Sequence, residues 1–99
     1  MIEVQCTSAD DPLRFDVAVG TGADTSHHQV TMTRETCERL TGGRHTPERC
    51  IEAALRFLLD REPKEAILAR FDITVISRYF PDFERQLPEY LSSNGMALG

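Results

Sequence analysis

The sequence predicts an α+β domain: an N-terminal three-stranded antiparallel meander followed by four or five short helices packed on one face of the sheet. Three observations lead there. Period-two alternation of apolar and polar residues is confined to the first third of the chain, 3.6-residue periodicity governs the rest, and nothing repeats or reads as a linker. Ninety-nine residues, 40% apolar and 27% charged, suffice for one domain with its own core. That domain is taken as residues 1–91, with 92–99 as a disordered C-terminal tail.

The strands come first. Ile2, Val4 and Cys6 alternate with Glu3 and Gln5, which predicts a strand with one buried face. After the turn chemistry of TSADDP, Leu13, Phe15, Val17 and Val19 alternate with Arg14, Asp16 and Ala18 in the clearest strand pattern of the chain. Gly20, Gly22, Asp24 and Ser26 supply a second loop. A shorter third strand then carries Val30 and Met32 inward and Gln29, Thr31 and Thr33 outward. Connections this short favour antiparallel pairing.

The helices follow. One of about two turns starts at Thr33 or Arg34, carries Cys37 and Leu40 on one face and stops at Thr41-Gly42-Gly43. The next, from Thr46 to about Arg61, is marked by a threonine cap, by Pro47 at the first helical position and by Pro63 beyond its end. Ile51, Ala54, Leu55, Leu58 and Leu59 form its stripe, which Cys50 and Phe57 widen, so contact on more than one side is expected. Glu52, Arg56 and Asp60 run down the wet face at i,i+4 spacing. Pro63 is expected to open a helix through Phe71 with Ile67, Leu68 and Phe71 on one side, and Asp72 to cap a helix that ends at Pro81. The 73–80 segment also has strand-like Ile, Thr and Val content; the Asp cap favours helix. A last short helix, Phe83 to Leu87, is interrupted at Pro88.

Composition excludes several function classes. A net charge of −5 argues against a whole-molecule electrostatic grip on nucleic acid or anionic membrane. Residues 1–26 carry Glu3, Asp10, Asp11, Asp16 and Asp24 against Arg14 alone, whereas the middle of the chain is close to neutral. No apolar run is long enough to span a bilayer and the N-terminus lacks a basic-then-apolar leader, so the expected location is cytoplasmic. Cys6, Cys37 and Cys50 have neither metal-type nor redox-type spacing and are expected as reduced thiols.

The residue types that carry chemistry do not converge. His27 and His28 are adjacent on a strand and must face opposite ways, so at most one can join His45 as a ligand, and the expected metal and cofactor complement is none. No histidine is placed to activate Cys37. The pairs Glu35 with Glu38 and Glu48 with Glu52 stand near helix N-termini, where they complement the dipole. The turns at Gly20-Thr21-Gly22 and Gly42-Gly43 lack the order of a phosphate cradle, and the only lysine, Lys64, lies elsewhere. Tyr79, Phe80 and Phe83 form the densest aromatic cluster; core packing is its favoured reading and an exposed partner surface the alternative.

Two resemblances add to this. The run GRHTPERCIEAALRFLL, with Gly43, Thr46, Ile51, Ala54, Leu55 and Arg56 in place, resembles the second helix of ribbon-helix-helix regulators over residues 29–59. That resemblance implies a dimer whose strand enters the major groove with Gln29, Thr31 and Thr33 outward, although the first helix is about two turns short at 3.6 residues per turn. The segments His28 to Thr33, Leu40 to Gly43, Phe57 to Pro63 and Ile67 to Pro81 resemble a family of short uncharacterised bacterial proteins. This second likeness implies a bacterial source and a shared fold, with no activity to carry over. The expectation is a small non-enzymatic interaction or regulatory domain with an unknown protein partner, as monomer or homodimer. A ribbon-helix-helix-like DNA-binding regulator is the alternative, and an enzyme or metal protein the third reading.

Overall fold

The computed structural model describes residues 1–96, with side chains through Ser92. Four strands, β1 (Ile2–Ser8), β2 (Leu13–Thr21), β3 (Asp24–Met32) and β4 (Arg70–Asp72), form one sheet in the order β1-β2-β3-β4. The first three are the antiparallel meander that the alternation predicts, and β4 joins parallel to β3. Among the described residues there are four α-helices: α1 (Arg34–Thr41), α2 (Pro47–Leu59), α3 (Thr74–Tyr79) and α4 (Phe83–Met96).

Leu13, Phe15, Val17 and Val19 all point into the core, opposite Met32, Val30, His28 and Ser26 of β3. The other face of the sheet carries Glu3, Gln5, Arg14, Asp16, His27 and Gln29 and is open to water. The β2–β3 hairpin is tighter than the glycines suggest. Thr21 pairs with Asp24 across a Gly22-Ala23 turn, so β3 begins at Asp24 and runs through Ser26 and both histidines.

The glycine stop of α1 and the threonine cap of α2 are formed as the sequence predicts, and α1 starts on a side-chain cap of its own. Thr33 accepts a bond from the Thr36 N–H at 3.1 Å, and Gly42 closes α1 in the left-handed conformation, its N–H donating to the Glu38 carbonyl at 2.8 Å. Thr46 caps α2 in the same way through the Arg49 N–H at 3.1 Å. Buried Cys50, Ile51, Ala53, Ala54, Leu55, Phe57 and Leu58 cover far more than one stripe, because α2 lies between β1 and α4. Leu59, expected on that stripe, is only half-buried. Phe57 is the hub. Its ring meets those of Phe80, Phe83 and Tyr90 edge-on at 5.8, 5.1 and 5.7 Å, with the Arg61 guanidinium 3.7 Å over its face.

Two expected elements are corrected. The helix from Pro63 through Phe71 is absent; Lys64–Ala66 make a single 3-10 turn, after which the chain extends into β4. The spacing of Ile67, Leu68 and Phe71 matches a helix, but the side of β3 left open by β2 offers this segment a backbone partner. The helix expected to break at Pro88 instead runs to Met96. Leu87, Leu91 and Tyr90, packed on α2, outweigh the hydrogen bond that Pro88 cannot make. The expected tail thus starts inside α4, and its last residues, 97–99, lie outside the described residues.

Candidate functional site: an apolar groove beside β4

Where β4 leaves the sheet, the end of α2, the extended segment before β4, and α3 do not close over one another. They leave a groove of about 260 Å³, floored by Leu58, Ile67 and Ile76 and walled by Phe71, Val75 and Phe80. Leu68 and Tyr79 stand on its rim, 50% and 68% exposed. The local sequence explains the opening. Asp72 accepts bonds from the Thr74 N–H at 3.0 Å and the Thr74 hydroxyl at 2.7 Å, which starts α3 directly after β4 and turns Val75 and Tyr79 toward the groove. On the other side, the extended backbone turns Ile67 inward and leaves Leu68 in solvent.

Of the described lining residues only Glu62 and Tyr79 carry a titratable group, and together they supply neither an acid–base pair nor a cluster of ligating atoms. Among all described residues, no three His, Cys, Asp or Glu side chains are grouped to hold a metal ion.

No family model, curated protein or solved structure matches this chain.

The aromatic cluster predicted from sequence divides between surface and core. Tyr79 and the half-buried Phe80 line the groove, but Phe83 is 1% exposed and belongs to the core against Phe57. As a surface residue Phe83 is therefore corrected: it sits on the face of α4 turned to α2. Helical spacing places Leu68 on a buried face, whereas the extended backbone before β4 leaves it exposed.

The strand residues proposed for base reading are placed differently too. Gln29 is exposed and Thr31 donates its hydroxyl to Asp72 at 2.7 Å, both on a strand paired with β2 on one side and β4 on the other. Thr33 lies beyond the strand and serves α1 as its cap. A ribbon across a two-fold needs an unpaired strand edge, and from Gln29 to Thr31 this one has none.

The remaining candidates stay apart. His27 faces solvent and His28 the core, as adjacent strand positions must. A shallow cleft between α1 and the start of α2 gathers Arg34, Cys37, Glu38 and His45. Its thiol is not activated: burial pushes Cys37 upward from its ordinary value against a weaker downward pull from the Thr41 hydrogen bond. Cys50, fully buried, is pushed by burial to about 12 and by Cys37 in the same direction. No helix among the described residues is long and apolar enough to cross a membrane.

Proposed function

We infer that this domain is a small non-enzymatic docking module that binds a protein partner through the groove beside β4. The observation that carries this reading is the pair Leu68 and Tyr79, 50% and 68% exposed on the rim of a groove whose floor is apolar. Covering such side chains is worth roughly 25 cal/mol per Å² of apolar surface removed from water. At about 260 Å³ the groove admits one or two apolar side chains, and it falls below the range, from about 300 Å³, of pockets that enclose small metabolites. A cytoplasmic setting fits its three unpaired cysteines.

The test uses the full chain as tagged bait in extracts of its source organism under reducing conditions, beside the Leu68→Ser/Tyr79→Ser double variant. A protein held by the wild type and lost from the variant supports docking at the groove, and an untagged second copy of this chain counts as such a partner. Identical recoveries from the two baits would defeat the reading.

A further inference from the structure

We propose that the groove's occupant is a second copy of this chain, joined edge to edge through β4 in antiparallel register about a two-fold axis at Phe71. The proposal rests on the docking reading above and gives it a specific partner.

The backbone sets the register. The Gln29 N–H donates to the Ala69 carbonyl at 2.7 Å, and the Ile73 N–H donates to the Thr31 carbonyl at 2.9 Å. Odd-numbered positions of this segment therefore turn their backbone groups toward β3. The N–H and C=O of Arg70 and Asp72 point the other way, off the last strand of the sheet.

A second β4 laid antiparallel about Phe71 sets Arg70 opposite the second copy's Asp72, and Asp72 opposite its Arg70. Each pair exchanges two backbone hydrogen bonds, since both members offer N–H and C=O outward. Their side chains lie on the open face of the sheet beside Gln29 and Thr31, so a guanidinium meets a carboxylate twice. Phe71 meets its own copy at the axis, in the closer, non-hydrogen-bonded kind of pair. The same arrangement brings the exposed Leu68, which precedes β4, beside the start of the second copy's α3. The other sheet edge offers no comparable match. Strand β1 carries Glu3 but no cation, so pairing it with itself about Val4 sets Glu3 against Gln5.

Three residues of strand and one groove make a small contact, in the class below about 1,200 Å² that gives weak, transient association. The full chain at low salt should rise in light-scattering mass from 11.2 kDa toward twice that value as its concentration increases. The accessible range for such a dimer runs from about 10 μM to 1 mM. The Arg70→Glu variant sets two carboxylates against each other on both sides of the axis and should raise the dissociation constant at least roughly tenfold. Arg70→Lys should retain most of the association. In the wild type, the amide protons of Arg70 and Asp72 should exchange more slowly as concentration rises. The proposal is overturned by a mass that stays at 11.2 kDa throughout, by a dimer indifferent to Arg70→Glu, or by exchange at these two amides that ignores concentration. A monomer that still captures another protein through Leu68 and Tyr79 overturns the dimer and leaves the docking reading standing.

Discussion

The Nδ1 of His28 lies 2.8 Å from the backbone carbonyl of Leu68, forty residues further along the chain. A carbonyl only accepts, so Nδ1 carries the proton of this bond, and Nε2 shares a hydrogen bond with the Ser26 hydroxyl at 2.9 Å. One buried imidazole thereby ties β3 to the segment that leads into β4, and the groove exists because that segment is held extended. The His28→Leu variant keeps much of the volume but leaves the Leu68 carbonyl without its partner. It should lose about 1–3 kcal/mol in urea unfolding, with faster amide exchange concentrated at residues 69–72. A loss spread evenly over the sheet would contradict this role.

The β2–β3 hairpin depends on one glycine more than on its neighbour. Gly20 sits at φ +118°, and a Cβ there would come 2.1 Å from the Asp24 carbonyl oxygen, whereas Gly22 at φ +56° has open space around it. Gly20→Ala should therefore cost at least about 2 kcal/mol, and Gly22→Ala about 1 kcal/mol. Equal losses in paired thermal melts would show that backbone conformation alone, and not the close approach to Asp24, decides the matter.

Much of this architecture is legible in the sequence because it is local. Period-two alternation at Leu13, Phe15, Val17 and Val19 places β2, and the caps at Thr33, Gly42 and Thr46 need only neighbours a few residues away. What the sequence conceals is decided at long range. Ile67, Leu68 and Phe71 fit a helical template, and only the His28–Leu68 bond and the open side of β3 show why they are extended. The groove inherits that opacity. Tyr79 and Phe80 are recognisable as an aromatic pair, but Leu68 joins them only once β4 has formed, and Phe83 leaves them because α4 turns it onto Phe57.

Cys50 makes a pH prediction with a definite sign. Burial holds its thiol at about 12 in the folded chain, against an ordinary value of 9.0 when unfolded. Below pH 9 both states are protonated and the group contributes no slope. As pH rises from about 9 toward 12, the unfolded chain gives up the proton first, so this site lowers stability by about 1.4 kcal/mol per pH unit at most. The stability difference between wild type and Cys50→Ala, followed by urea midpoint from pH 7 to 10.5, should be flat at first and shrink above about 9. A constant difference across that range would show that the thiol is not protected as its burial requires.

Pro88 is where the fold tolerates a local penalty for a tertiary gain. It sits inside α4, lacks the N–H that would reach the Glu84 carbonyl, and yet the helix continues to Met96. Leu87 and Leu91 are buried on either side of it, Tyr90 stacks edge-on against Phe57, and Arg49 bonds the carbonyls of Tyr90 and Leu91. Those contacts hold the backbone helical through a residue that costs an uninterrupted helix about 3 kcal/mol relative to alanine. Pro88→Ala restores the missing donor, but it also frees the unfolded chain, which returns about 0.4–1 kcal/mol of the gain. The net expectation is a stabilisation of about 2–2.5 kcal/mol in urea unfolding, with Leu87 and Leu91 still protected. A loss of stability would mean that α4 is bent to fit the proline ring and that alanine straightens it away from α2. In that case Arg49→Ala, which releases the far end of the same helix, should add little to the loss in the double variant.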